Sequence, residues 1–267
     1  MTSLCEELER IAIDAGEAIL GVYDAGPNVC YKDDQSPVTE ADERAEIIIL
    51  DRLSRLFPHV PVIAEEAVAC GNVPDIGGGS FFLVDPLDGT KEFINRRNDF
   101  TVNIALIERD VPVAGIVYAP AQRCAYVAAE GRAEKLLFGH GGAIEKRETI
   151  RARPRGAALT AVASRSHSSS ETEAFLVGHG VKDCMSIGSS LKFCLVAEGK
   201  ADVYPRFGRT MEWDTAAGDA VLRAAGGSVV RLNGSQLAYG KRMQTDDCDF
   251  ANPHFIAWAD MSSASFG

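Results

Sequence analysis

The sequence predicts a soluble protein of mixed α+β and α/β character, read in two parts, residues 1–150 and 151–267. Three observations lead there. Behind two amphipathic helices, the first part is filled by apolar runs joined through short polar turns, the pattern of antiparallel hairpins. After about residue 150, strand and helix patterns alternate. The chain of 267 residues is 46% hydrophobic, its mean hydropathy is −0.03, and no apolar run approaches the roughly 20 residues of a membrane span.

Each element has a local reason. Residues 3–23 place Leu4, Leu8, Ile11, Ala15, Ile19 and Val22 at steps of three and four, which makes one helical face apolar. Ser3 and Glu6 fit a capping box, and Gly26-Pro27 stops the helix. Thr39 can cap a second helix with a stripe of Ala41, Ala45, Ile48, Arg52 and Leu56, ended by Pro58 and Pro61. PVIAEE predicts a short strand ending in two glutamates, and FFLVDPLDGT a strand then a turn. FTVNIALIE and VPVAGIVYAP predict a hairpin, CAYVAAEGRAEKLLF two strands about Glu130-Gly131, and GHGGAIEKRET an irregular polar stretch. In the second part, ALTAVASRSH and ADVYPRF predict strands and ETEAFLVGHG a short helix. GSSLKFCLVAEG predicts a helix capped by Ser189 or Ser190, and EWDTAAGDAVLRAAGG another with Asp214 near its start. SVVRLNGSQLAY predicts a strand pair about an Asn-Gly turn.

Charge and composition narrow the function. The net charge of −11 argues against a DNA or RNA duplex as partner. Seven cysteines without C-x-x-C spacing suggest reduced thiols in a cytoplasm, with neither a zinc site nor a disulfide framework. The acidic start MTSLCEELER does not read as a signal peptide. A cytoplasmic location is expected, with a peripheral place on the cytoplasmic side of the inner membrane left open. The sequence carries no signal for oligomeric state.

The carboxylates carry the chemistry. Glu65 and Glu66 close one predicted strand, Asp85 and Asp88 the next, and Asp214 opens a late helix. If the two strands are neighbours, Glu65, Asp85 and Asp88 meet at one sheet edge. Repulsion among them then requires protons or cations. Oxygen donors without nearby His or Cys favour Mg²⁺ or Mn²⁺. Gly89-Thr90 adds a backbone that can approach an anion closely. Each feature has a plainer reading: D-x-x-D at a turn, Asp214 and Thr39 as caps, Asp42 as a helix-dipole charge, Glu65-Glu66 as a solvated strand end. Physical reasoning alone therefore leaves a metal-dependent phosphohydrolase beside ordinary turn and cap chemistry.

The joint pattern of QSPVTEAD (35–42), AEE (64–66), VDPLDGTKEF (84–93) and WDTAAGDAVLRAAGG (213–227) resembles the lithium-sensitive, magnesium-dependent phosphatases of the inositol monophosphatase superfamily. The resemblance runs from about residue 5 to 257. DPLDGTKEF, FTVNIALI, VYAP, SRSH, IGSSLKFCLVAEG and YPRFG are most similar to its bacterial 3'(2'),5'-bisphosphate nucleotidases. The family's own inositol monophosphatases usually follow DPIDGT with a Tyr- or Asn-containing segment where this chain has KEF. Ala64 stands where many relatives have Gly or Ser, next to a ligand but outside the chemistry.

What the resemblance implies is specific. The fold would be a layered α-β-α-β-α sandwich, with most metal ligands in 1–150 and Asp214 and substrate contacts in 151–267. Glu65, Asp85, the Leu87 carbonyl, Asp88 and Asp214 would bind two Mg²⁺ ions, with a weaker third near Asp42. Thr90, supported by Glu65 or Asp42, would orient the attacking water for in-line hydrolysis without a phosphoenzyme. Asp88, Gly89, Thr90, Ser164, His167, Ser189, Lys192, Arg206 and Asp214 would contact an adenosine bisphosphate, Lys192 and Arg206 neutralising its 5'-phosphate. The implied activity removes the 3'-phosphate of 3'-phosphoadenosine 5'-phosphate, giving AMP and phosphate, and extends to its sulfated precursor in sulfate assimilation. The alternatives are an inositol-1-monophosphatase, a sugar bisphosphatase, or a catalytically silent nucleotide-binding regulator.

Overall fold

The computed structural model describes residues 3–32, 37–156, 158–165 and 169–263. Ser3 and Glu6 form the expected capping box at helix α1 (Leu4–Ala25). An antiparallel hairpin of β1 (Val29–Tyr31) and β2 (Pro37–Thr39) follows. Thr39 then caps α2 (Glu40–Leu56), and Asp42 accepts from the Thr39 amide at 2.8 Å. The inner face of α2 differs from the expected stripe. Ala41, Asp42, Ala45, Glu46, Ile49 and Leu53 are buried, whereas Arg52 and Leu56 are exposed. Two carboxylates explain the shift: Asp42 serves the cap, and Glu46 accepts the amides of Glu66 and Ala67, each at 2.8 Å. A hydrophobic pattern assigns both residues outward.

The chain continues through β3 (Val62–Ala64), α3 (Glu65–Ala69), β4 (Ser80–Asp88), α4 (Thr90–Ile94), β5 (Thr101–Glu108), β6 (Val111–Ala119), β7 (Cys124–Ala129), β8 (Arg132–Phe138) and β9 (Ile144–Thr149). Strands β3 to β9 form one sheet in sequence order, with β3 and β4 parallel and every other pair antiparallel. Two expectations need correction here. Glu65 and Glu66 open α3 and do not end a strand. The stretch expected to be irregular contains β9, whose six residues are all exposed. Its pairing is carried by the backbone, supported by Arg147 bonding Glu9 at 2.8 Å and Glu134 at 2.7 Å.

The second part adds β10 (Thr160–Ser164), α5 (Ser170–Gly178), β11 (Asp183–Ile187), α6 (Leu191–Ala197), β12 (Val203–Arg206), α7 (Glu212–Ala224), β13 (Ser228–Arg231) and β14 (Phe255–Trp258). The sheet order is β11-β10-β12-β14-β13. β10 is parallel to β11 and β12, and β14 is antiparallel to β12 and β13. The Asn-Gly turn exists, with Asn233 Oδ1 accepting from the Ser235 amide at 3.0 Å, but the return makes only an isolated bridge from Val230 to Gln236. β13 pairs with β14 instead, a four-residue strand that the sequence reading does not foresee.

Alternation along the strands sets the layers. Phe82, Val84, Val102, Ile104 and Ile116 pack against Leu8, Ile11 and Ile19 of α1 and Ile49 and Leu53 of α2. Their neighbours Phe81, Leu83, Ala105, Ile107 and Val117 face Phe193 of α6 and Ala216, Ala217 and Val221 of α7. That helical layer also meets Val162, Tyr204, Val229 and Phe255 of the second sheet. Ala161, Val203, Val230 and Trp258 line the far face, against Phe175 and Leu176 of α5. The result is the expected order α-β-α-β-α. Small residues let α7 lie between two sheets. A Cβ on Gly218 would come within 2.5 Å of the Phe193 ring, and one on Gly115 within 3.1 Å of the Ala217 Cα. Fully burying a side chain such as Phe193 contributes about 1.5–3 kcal/mol.

Candidate active site

The parallel register places Ala64 beside Val84, so Glu65 and Asp85 emerge next to each other at the same end of β3 and β4. The ladder between β4 and β5 then slips. Asp85 pairs with Asn103 and Asp88 with Thr101, leaving one extra residue on β4 around Pro86, which has no amide hydrogen to donate. Gly89 follows at φ +94°, the left-handed region, where a Cβ would lie 3.2 Å from the Asp99 carbonyl oxygen. The chain therefore turns sharply from β4 into α4 only because glycine stands there.

A cleft of about 270 Å³ opens at this turn. It is lined by Glu65, Asp85, Leu87, Asp88, Gly89 and Thr90 from the first part, and by Ser164, Ser189, Lys192, Arg206 and Asp214 from the second. Carboxylate oxygens of Glu65, Asp85 and Asp214 lie within 4.8 Å of one another. Burial pushes Asp85 well above the usual carboxylate range, and the charges of Glu65, Asp88 and Asp214 push it further. Burial raises Asp214 likewise, with Asp88 and Glu65 adding to it. Burial also raises Asp88, although Lys192 and hydrogen bonds from Ser190 and Asn103 oppose the shift. Clustered, water-poor carboxylates of this kind call for positive charge. The donors are all oxygen, and neither His nor Cys lines the cleft among the described residues, so the set fits a hard divalent cation.

Thr90 links Asp42 to the turn after β4. Its Oγ1 lies 3.2 Å from Asp42 Oδ1 and 3.2 Å from the Leu87 carbonyl oxygen, so one hydroxyl proton can serve either acceptor. Asp42 is 3% exposed. Burial raises its pKa to about 6, against the lowering effect of the Thr39 hydroxyl and amide.

The cationic side of the cleft is equally buried. Burial lowers Lys192 to about 8, with Asp88 opposing and Arg206 adding to the shift. Its Nζ donates to the Ser189 carbonyl and stands 5.5 Å from the centre of the Tyr204 ring. Arg206 is 7% exposed; its Nη2 donates to the Arg209 carbonyl, and its Nε has no partner among the described residues. Ser164 and Ser189 line the same wall. His167 lies outside the described residues.

Sequence reasoning did not foresee several contacts around these residues. Lys32 donates to Glu65 Oε1 at 2.8 Å and Glu66 Oε1 at 2.7 Å. Glu66 is raised to about 7, by burial first and then by Glu65, with Lys32 opposing. Asn103 and Ser190 both bond Asp88, and Glu46 caps α3. Asn103 left a trace in the sequence, an amide inside the apolar run FTVNIALI. Of the two caps expected for α6, the Ser189 hydroxyl accepts from the Leu191 amide at 3.4 Å, whereas Ser190 occupies the N-cap position without a side-chain cap bond.

Comparison with known proteins gives a consistent picture. A model described as the inositol monophosphatase family matches residues 1–254. The 3'(2'),5'-bisphosphate nucleotidase CysQ of Salmonella typhimurium is 47% identical over 254 residues, covering 94% of this chain and 98% of the relative. The protein of the same name from Escherichia coli K12 is 46% identical over the same shares. The crystal structure of CysQ from Bacteroides thetaiotaomicron superposes with a TM-score of 0.76 at 40% identity, covering 95% of this chain and 96% of that one.

Proposed function

The chain belongs to the inositol monophosphatase family, and we propose that within it the chain is a 3'(2'),5'-bisphosphate nucleotidase. It hydrolyses the 3'-phosphate of 3'-phosphoadenosine 5'-phosphate to give AMP and inorganic phosphate. The observation that carries this reading is the pairing of one buried anionic cluster with two buried cationic side chains in a single cleft. An inositol or sugar monophosphate asks for one phosphate site and hydroxyl partners. A bisphosphate asks for a second positive locus, and Lys192 and Arg206 supply it. Full-length similarity to bisphosphate nucleotidases points the same way.

Glu65, Asp85, the Leu87 carbonyl, Asp88 and Asp214 would hold two Mg²⁺ ions, with Asp42 near a weaker third. When bound, the ions supply positive charge for the phosphate oxygens and lower the pKa of water. The protein's own groups do the rest. Gly89 and Thr90 cradle the scissile phosphate with their backbone. Thr90 Oγ1 holds the attacking water and passes a proton to Asp42 Oδ1, whose pKa near 6 makes it an available base at neutral pH. Glu65 is the second acceptor within the cluster. Lys192 and Arg206 neutralise the 5'-phosphate, and Ser164 and Ser189 line the path to the nucleoside. With the chain divided at residue 150, as the sequence suggests, this cleft would lie between the two parts, with Asp214 contributed by the second.

No helix among the described residues is long and apolar enough to cross a membrane. The test of the activity is product analysis. Incubation of the purified protein with adenosine 3',5'-bisphosphate and Mg²⁺ should yield 5'-AMP and phosphate. Formation of adenosine 3'-phosphate, or no turnover in the presence of Mg²⁺, would overturn the assignment.

A further inference from the structure

Asp88 is held differently from the other acidic groups of the cleft. Its Oδ2 accepts from Ser190 Oγ at 2.8 Å and from Asn103 Nδ2 at 3.3 Å. Asn103 Nδ2 also donates to Ser190 Oγ at 2.9 Å, and that same oxygen lies 2.6 Å from the Asp214 carbonyl. Four elements therefore meet at one hydroxyl: the end of β4, the interior of β5, the turn before α6 and the first turn of α7. The node is dry, with Asn103 at 0% and Ser190 at 2% exposure.

The local backbone is shaped for this contact. Serine at an N-cap ordinarily accepts a hydrogen bond from the amide two or three residues on. At α6 that bond is not made. The preceding Ser189 sits at φ +51°, a region sparsely populated by non-glycine residues. The turn thus adopts an unfavourable dihedral and leaves the Leu191 amide to the Ser189 hydroxyl at 3.4 Å, and the Ser190 hydroxyl reaches Asp88. The buried Asn103 fixes the direction of that hydroxyl by donating to its oxygen, which leaves its one proton to be shared between Asp88 Oδ2 and the Asp214 carbonyl.

We propose that Ser190, oriented by Asn103, is a positioning residue that fixes the Asp88 carboxylate and ties it to the backbone of Asp214. The inference rests on the reading of the acidic cluster as a divalent-cation site. One hydroxyl then sets the spacing of two ligands, one delivered by the end of β4 and the other by the first turn of α7. Partners of metal ligands typically change affinity about 10–100-fold when removed.

The test is an Mg²⁺ titration of the full chain without substrate, read by calorimetry and by thermal shift. It compares wild type, Ser190→Ala and Asn103→Ala, each starting from chelated protein. Ser190→Ala should raise half-saturating Mg²⁺ about tenfold or more, and activity at saturating Mg²⁺ should recover most of its wild-type value. A purely structural serine would lower the melting temperature of the chelated protein and leave half-saturation unmoved, and that result overturns the inference. If Ser190→Ala does not fold, Asn103→Ala carries the same two outcomes. A wild type without any Mg²⁺ response overturns the cation reading and this inference with it. A responsive wild type beside an unaltered Ser190→Ala overturns this inference alone.

Discussion

Replacing Lys32 with methionine should tighten Mg²⁺ binding while weakening the metal-free protein. Lys32 Nζ lies 2.8 Å from Glu65 Oε1 and 2.7 Å from Glu66 Oε1, with side-chain exposures of 16%, 28% and 14% respectively. Burial alone would depress the ammonium pKa, yet Glu65 and Glu66 together raise it, so the pairs outweigh desolvation. At an effective dielectric near 20, opposite unit charges ~3 Å apart attract by roughly 6 kcal/mol before desolvation is subtracted. A hydrogen bond to a charged group contributes about 1.5–3 kcal/mol net. Glu65 is also a member of the cluster with Asp85 and Asp214. A cation entering there must share or displace the ammonium, and coupling of this kind is reciprocal. If binding weakens the Lys32–Glu65 pair by about 1.4 kcal/mol, removing Lys32 tightens Mg²⁺ about tenfold. Methionine keeps much of the apolar stem and removes the charge. The assay is an Mg²⁺ titration of chelated wild type and Lys32→Met by calorimetry, with no substrate present. The melting temperature of the chelated variant should fall, because Glu65 and Glu66 then repel without a counter-charge. Equal or weaker Mg²⁺ binding in Lys32→Met would refute the reasoning.

Three further outcomes follow from the same geometry. Asp88→Asn should lower kcat/KM by about 10²–10³-fold, as removal of strong electrostatic stabilisation does, while circular dichroism and gel filtration stay unchanged; near-normal turnover would remove Asp88 from the site. Asp42 is raised from 3.8 to about 6 in the folded chain, so its contribution to stability is full below pH about 4 and is lost as pH rises through about 6. Chelated protein should therefore lose about 3 kcal/mol from this group over that window, at ~1.4 kcal/mol per pKa unit, and denaturant melts of Asp42→Asn should show a shallower pH slope. Arg206→Gln should raise KM for adenosine 3',5'-bisphosphate about tenfold or more with a smaller change in kcat, because Arg206 is assigned to the 5'-phosphate and not to the cations; steady-state kinetics separates the two effects.

The parts of this molecule that were legible in the sequence are those where a local pattern and the tertiary role coincide. The Ser3–Glu6 capping box, the β5–β6 hairpin and the small-residue run of α7 are of this kind. The acidic set was legible as carboxylates at the ends of elements, although Glu65 opens α3 where a strand end was expected, and the parallel pairing of β3 with β4 brings Glu65 to Asp85. Other features are decided across the chain. Glu46 faces inward because α3, twenty residues on, presents bare amides to it. β9 is exposed throughout and polar after Ile144, and it belongs to the sheet only through its backbone partner β8. Lys32 looks like a solvated loop lysine until Glu65 and Glu66 are placed beside it. Ser190 looks like a helix cap, and only the approach of β4 and β5 shows that its hydroxyl is directed elsewhere.

The central claim is that the cleft is built for two phosphates on an adenosine, and a comparison of substrates tests it most directly. With Mg²⁺ present, phosphate release should be measured from adenosine 3',5'-bisphosphate, inositol 1-phosphate and fructose 1,6-bisphosphate. The predicted result is a kcat/KM for the adenosine bisphosphate at least about 100-fold above inositol 1-phosphate, as about 3 kcal/mol of differential binding of the second phosphate at Lys192 and Arg206 would give, and above fructose 1,6-bisphosphate as well, whose two phosphates lack the nucleoside. A higher kcat/KM for inositol 1-phosphate or fructose 1,6-bisphosphate would contradict it.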